Sequence, residues 1–246
     1  VSARLGKGFS AYLLAGVNTY YRERDYSDYD RRALGARFRF GYPIGDWTRV
    51  FWSYQVEQYT LFNIEDDASD YILESSGDNW SSVFSMGITR DTTNRTLNPS
   101  SGNSNSLTID YGGGFLGGDD NFIKFQADTN WYFTLLEEWQ HVLHLHARVG
   151  QVIENFNNND IPVFERFYLG GMQSIRGYGP LKISPRDDGD RIGGETMFFT
   201  NVEYLFPLEQ EFGLVGVLFY DMGDAWGGGD HDFLSLKKSV GFGVRW

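Results

Sequence analysis

Arg176 lies between an apolar residue and a glycine in the run Gly170-Gly171-Met172-Gln173-Ser174-Ile175-Arg176-Gly177-Tyr178-Gly179, inside a long polar connection between two strand-like segments. A guanidinium fixed in a protein interior needs an acidic partner, because an isolated buried charge is too costly to keep. Two candidates follow downstream on the polar sides of alternating segments. Glu203 shares a face with Asn201, opposite Val202, Tyr204 and Phe206, and Asp221 lies opposite Tyr220 and Met222. A guanidinium offers a rigid fork of donors that can engage carboxylates bidentately. These three residues predict a lock rather than a reaction. Gly177 and Gly179 let the backbone turn tightly beside the arginine. The plainer alternative is a solvated Arg176 with two acids that merely line a wet surface.

The other chemistry-bearing sets are weaker. His141, His144 and His146 fall on one segment, and His144 and His146 share a face, which could suit a metal pair. No cysteine and no placed carboxylate completes that shell, so a polar strand face is the reading preferred. Serine, histidine and aspartate are all present, but no G-x-S-x-G elbow holds a nucleophile. The acidic runs Glu65-Asp66-Asp67 with Asp70, and Asp187-Asp188 with Asp190, have calcium-loop composition without calcium-loop spacing. They read as solvated loop tips. No catalytic residue, metal site or cofactor is expected.

The elements that must position Arg176 are strands. Leu34 to Tyr42 sets Leu34, Ala36, Phe38, Phe40 and Tyr42 against Gly35, Arg37, Arg39 and Gly41. Phe122 to Phe133, Leu107 to Phe115 and Leu236 to Trp246 repeat the scheme. Successive side chains of a strand point to opposite faces, so each segment has one oily face and one polar or small face. A water-soluble sandwich would show the same alternation with the oily face inward. Three features favour a membrane barrel. The segments approach the length a tilted spanning strand needs. Their polar faces mix glycine with charge, as a lumen does. Aromatic residues, among them Tyr20, Tyr21, Trp47, Trp80, Trp131, Tyr132, Trp139, Trp226 and Trp246, gather near segment ends, where interfacial girdles lie.

Composition agrees with that choice. The 246 residues include no Cys, 30 Gly and 17% aromatic residues, with a formal charge of -12, which argues against a nucleic-acid surface. No apolar run approaches the roughly 20 residues of a membrane helix. About ten strands are expected, at roughly 10–21, 33–43, 48–62, 80–91, 105–115, 121–133, 139–153, 195–206, 213–226 and 236–246. Connections alternate in length. Arg22–Arg32, Ile64–Asn79, Glu154–Gly194 and Gly227–Ser235 are long; Pro43–Trp47, Thr134–Glu138 and Pro207–Glu211 are short. Short turns face the periplasm in such barrels, and long loops face outward. Leu116–Asp120, short and outer, and Thr92–Asn105, long and inner, break that pattern.

Phe164-Glu165-Arg166-Phe167-Tyr168-Leu169-Gly170-Gly171, followed by Ser174-Ile175-Arg176-Gly177-Tyr178, resembles the outer-membrane protein assembly factor superfamily. So do Ile192-Gly193-Gly194, Asn201-Val202-Glu203-Tyr204-Leu205-Phe206-Pro207, Phe219-Tyr220-Asp221-Met222-Gly223-Asp224-Ala225-Trp226 and Lys238-Ser239-Val240-Gly241-Phe242-Gly243, in that order. Upstream the likeness is weaker, carried by Arg90-Asp91-Thr92 and Pro99-Ser100-Ser101-Gly102. The resemblance implies an all-β, antiparallel transmembrane barrel, 1–246, with a long extracellular loop folded into its lumen. Ile175, Arg176, Gly177 and Tyr178 would be the loop motif, Glu203 and Asp221 its acidic partners, and Gly170, Gly171, Gly179, Gly193 and Gly194 supporting glycines.

It also implies assembly and insertion of other barrel proteins into the bacterial outer membrane, without a cofactor. Unfolded outer-membrane proteins would be the substrates, accessory periplasmic lipoproteins and chaperones the partners, and outer-membrane lipid and lipopolysaccharide the surroundings. A polypeptide secretion transporter of the same superfamily is the alternative, with a passive pore or a barrel-borne enzyme further off. The family's barrel has sixteen strands and periplasmic POTRA domains. About ten strands and no POTRA domain here make a partial barrel the expectation.

Overall fold

The computed structural model describes residues 2–4, 10–26, 29–65, 68–155, 161–209, 212–227 and 235–245. The alternating segments form one antiparallel sheet whose strands run β1 (Leu14–Asp25), β2 (Asp30–Pro43), β3 (Thr48–Phe62), β4 (Gly77–Asp91), β5 (Gly102–Gly112), β6 (Phe122–Leu136), β7 (His141–Glu154), β8 (Thr196–Glu209), β9 (Leu214–Trp226) and β10 (Lys237–Arg245). Each strand pairs with its sequence neighbour, β1 through β10 in order, a pure meander among the described residues. Two short hairpins stand apart, Ser2–Arg4 with Ser10–Tyr12 and Arg186–Asp187 with Asp190–Arg191.

Burial decides which face is the interior. On β8 and β9 the carboxylates Glu203 and Asp221 are 3% and 0% exposed, while Val202 and Leu218 on the opposite faces are 37% and 50% exposed. A sandwich would bury the second pair and wet the first. The apolar faces form a continuous outer belt, with Leu34, Phe38, Phe84, Met86, Leu107, Phe125, Val149 and Phe242 exposed along it. That arrangement suits hydrocarbon outside and polar groups within.

Connections at one rim are the short ones, at 44–47, 137–140 and 210–213, joined by the longer 92–101. The last is braced by its own side chains. Asn94 Oδ1 accepts from the backbone N–H groups of Ser100 and Ser101, at 3.0 and 3.2 Å. The opposite rim carries 63–76, 113–121 and 155–195. Helix α1 (Asp70–Glu74) lies in the first of these, and its Ile72 is completely buried. There Tyr29, Ala33, Tyr59, Leu61, Ala68, Ile72 and Val163 form an apolar cap over the lumen mouth.

Several boundaries differ from the sequence reading. Arg22–Arg32 is not a long loop. Its ladder continues through Arg22↔Ala33, Glu23↔Arg32 and Arg24↔Arg31 to Asp25↔Asp30. Charged residues pair there as readily as apolar ones, because the hairpin end carries no oily face for alternation to mark. Leu107–Phe115 ends early as a strand, at Gly112. Gly113 has φ +70°, and Gly114–Leu116 is a 3-10 turn. Tyr20 and Tyr132 do not belong to an outer aromatic girdle. Tyr20 donates to Glu57 inside the barrel at 2.5 Å, and Tyr132 stacks on His144. Trp226 is buried. Trp47, Trp80, Trp131 and Trp139 are exposed as a girdle requires. Trp246, Asp66 and Asp67 lie outside the described residues.

Candidate functional site in the lumen

The connection between β7 and β8 enters the barrel instead of projecting from it. Its first part is pinned by antiparallel bridges, Phe167↔Gly194 and Leu169↔Ile183. Ile161, Phe167, Leu169, Ile175 and Ile183 of this segment pack with the wall residues Phe122, Val152, Met197, Phe199 and Ala225. The apolar side chains of the loop thus complete a core with inward-facing apolar residues of the wall. Ile175 is fully buried, and burying such a side chain is worth about 1.5–3 kcal/mol. Lys124 of β6 holds the loop's edge, with Nζ 3.1 Å from Glu165 and 5.0 Å from the centre of the Phe167 ring.

The tip, 171–178, is closed by Gly171 N–H donating to Tyr178 O at 2.8 Å. Gly170, at φ +107°, makes the turn possible: a Cβ there would stand 2.3 Å from Gly179 O. The Ser174 hydroxyl accepts from Gly170 N–H at 2.8 Å and ties the same corner. Gly179 runs alongside Lys182. Gly193 and Gly194 seat the loop's return: Gly194 packs against the Trp226 backbone, where any side chain would collide. Tyr178 packs at the edge of the apolar cluster.

These constraints bring Arg176 against the wall of β8 and β9. Its Nε and Nη2 donate to Asp221 Oδ2 and Oδ1, at 2.7 and 2.6 Å. Its Nη1 donates to Glu203 Oε1 at 2.6 Å, and its backbone N–H also reaches Asp221 Oδ2, at 3.0 Å. The guanidinium lies over the Phe219 ring, 3.7 Å from its centre.

Sheet register explains the convergence. Glu203 pairs with Phe219, and Phe219 with Gly241; Asn201 pairs with Asp221, and Asp221 with Ser239. Two adjacent rows of lumen-facing residues therefore present one carboxylate each, with the phenyl ring beside them. Gly241 leaves room for that ring, since a Cβ there would meet Phe219 Cζ at 2.5 Å.

Sequence reasoning did not reach four members of the cluster. Asn201 donates to Asp221 Oδ1 at 2.8 Å and to Ser174 O at 2.6 Å. Arg245 gives Glu203 Oε1 a second cation at 2.6 Å. Phe219 supplies the stacking face, and His144 contacts Glu203 from β7. The available signal was face parity: all four share the polar side of their strands with the residues already singled out. Among the described residues no group of three or more His, Cys, Asp or Glu is placed to hold a metal.

A second polar cluster sits near the outer rim. Arg31 pairs with Glu57 and stacks on Phe164 and Tyr59, with its guanidinium 4.2 and 5.0 Å from the ring centres. Arg166, itself in the loop, lies 4.6 Å from the Tyr71 ring and 3.4 Å from Glu195. Tyr59 donates to Asp120 at 2.5 Å, and burial pushes the Asp120 carboxyl up to about 6. The expectation of solvated acidic tips fails at Asp190, whose Oδ2 accepts from Ser69 N–H at 2.9 Å at the start of α1. The first turn of a helix leaves amide donors unsatisfied, which draws a carboxylate to that spot.

A β-barrel with an arginine loop seated on its inner wall defines a class of outer-membrane proteins. The profile of the Omp85 superfamily domain matches residues 4–246, and the chain belongs to that superfamily. It is thereby an outer-membrane β-barrel. It is 43% identical over 239 residues to the outer membrane protein assembly factor BamA of Nitratidesulfovibrio vulgaris, covering 95% of this chain and 30% of that protein. A SAM50-like protein of Schizosaccharomyces pombe is 32% identical over 142 residues, 57% of this chain and 30% of the relative. The crystal structure of BamA from Haemophilus ducreyi lacking POTRA domains 1-3 superposes with a TM-score of 0.83 over 96% of this chain and 55% of that one, at 19% identity. The chain thus spans under a third of the length of these two curated relatives.

Proposed function

We propose that this barrel assembles and inserts other β-barrel proteins into the bacterial outer membrane. The observation that carries the reading is the seating of Arg176 on Glu203 and Asp221 inside the lumen. The similarity to an assembly factor over nearly the whole chain supports it. Residues 1–246 act as the barrel part of a longer machine. Its substrates are unfolded outer-membrane proteins. Accessory periplasmic lipoproteins and chaperones deliver them, and lipopolysaccharide surrounds the outer rim.

The work is templating, without nucleotide or covalent catalysis. Unpaired strand backbone is costly in lipid, so a barrel that parts along a seam offers an incoming strand an edge to pair with. Ile175, Arg176, Gly177 and Tyr178 hold the long loop against the wall of β8 and β9 while that exchange proceeds. The loop is seated inside the lumen against β8 and β9, which favours this reading over a passive pore.

The test is insertion of a small barrel substrate into proteoliposomes carrying the full-length protein, read by the heat-modifiable gel mobility of the folded product. Arg176→Ala is expected to slow insertion by about tenfold or more, since it leaves two buried carboxylates without their cation. An unchanged insertion rate would overturn the assignment.

A further inference from the structure

The two carboxylates that receive Arg176 are themselves gripped from behind. His144, on β7, pairs in the ladder with Glu203, and its Nδ1 is 2.8 Å from Glu203 Oε2. Arg176 and Arg245 take the other oxygen, Oε1. His144 Nε2 stands 3.0 Å from Asn130 Oδ1 on β6, and the ring lies flat on Tyr132, 4.3 Å between centres and 2° from parallel. His146, two residues along the same face, places Nδ1 2.8 Å from Asn201 Oδ1 and Nε2 2.9 Å from Asp128 Oδ2. Phe199 closes its other side edge-on, at 5.3 Å, and Arg148 also donates to Asp128.

Donor counting fixes which atoms face the rings. The amide nitrogen of Asn201 is engaged by Asp221 Oδ1 and Ser174 O, both acceptors, so its oxygen must point at His146. The amide nitrogen of Asn130 donates to Asp128 Oδ1 at 2.8 Å, so its oxygen must point at His144. All four ring nitrogens therefore face oxygens that can only accept. Each ring thus has an acceptor waiting wherever its N–H sits, even with a single N–H per ring.

We propose that His144 and His146 are positioning residues for Arg176: His144 fixes Glu203, and His146 fixes Asp221 through Asn201, so both carboxylates are preset before the loop arrives. A carboxylate in a wet lumen could otherwise swing about its side-chain torsions. Holding one oxygen of Glu203 with an imidazole on β7 leaves the second aimed at the loop. The inference rests on the reading of Arg176 as the anchor of the lumen loop.

The test is the rate of limited proteolysis within 161–195 in the membrane-embedded, full-length protein, with heat-modifiable mobility as the check on barrel folding. His144→Leu and His146→Leu are expected to raise cleavage by about tenfold, the scale of a lost hydrogen bond to a charged group. His144→Asn keeps an N–H near the Nδ1 position and is expected to restore protection. In an Arg176→Ala background His144→Leu should add less than about twofold, because both act through one contact.

Leucine variants that leave cleavage within about twofold of the parent, or that add their full effect on top of Arg176→Ala, would overturn the assignment of these histidines. If Arg176→Ala itself leaves cleavage unchanged, the anchor reading fails instead. Should His144→Leu not fold, His144→Gln, whose longer amide reaches toward Asn130, replaces it under the same criteria.

Discussion

A lysine could not do what Arg176 does. Three guanidinium nitrogens are spread over two carboxylates on different strands, with the flat of the group on Phe219. A single ammonium is a point charge without that fork. At the outer rim, Asp120 shows how burial alone shapes a residue. Its carboxyl ordinarily releases its proton near 3.8, and in the fold this rises to about 6, mainly through desolvation. An acid with a raised value binds its proton more tightly folded than unfolded between those limits. Stability therefore falls as pH rises through about 4 to 6, by roughly 3 kcal/mol in all, and the deficit persists above that window. Asp120→Asn is expected to remove this component. Urea unfolding of parent and variant at about pH 4 and pH 7 checks it: the gap between them should favour the parent in acid relative to neutral pH. An equal gap at both pH values would contradict the assignment.

Among elements, β10 makes the sharpest case. Gly241 and Gly243 lie on the same lumen face, yet only Gly241 backs the Phe219 ring; a Cβ at Gly243 would meet nothing within 4 Å. Gly241→Ala should push the ring toward Arg176 and cost about 1–3 kcal/mol, whereas Gly243→Ala should be near neutral. Thermal melts of the two variants in detergent decide the matter.

Strands were the most legible elements, because lipid on one side and water on the other write period two into the chain. Legibility failed where that contrast ends. Past Arg22 both faces are charged, so the β1–β2 hairpin hid in what read as a loop. At Gly114 a small residue imitated a lumen face beyond the true strand end at Gly112. Arg176 could be picked out because it is a charge set between an apolar residue and a glycine, and Glu203 and Asp221 because they fall on the polar sides of the alternating segments that follow. Asn201, Phe219, Arg245 and the histidines could not, since their roles depend on register between strands distant in sequence, such as His144 beside Glu203.

At the scale of the molecule, the chain is a globular protein turned inside out. Its buried side chains include ions such as Glu203 and Asp221, and its exposed ones include many large apolar residues. An arginine at Leu218, on the outer face of β9, is therefore expected to destabilise the barrel by about 2–4 kcal/mol in lipid vesicles, as for charges near a bilayer midplane. Chemical unfolding in vesicles is the measurement, and a loss below about 0.5 kcal/mol would contradict the outward orientation of that face.

The contact from Asp190 to Ser69 reaches between two surface segments more than a hundred residues apart in the chain. Each segment completes the other, so grafting one onto a different barrel would transfer only half of a shared structure. An antibody raised against this summit should recognise a composite epitope that no single linear peptide reproduces.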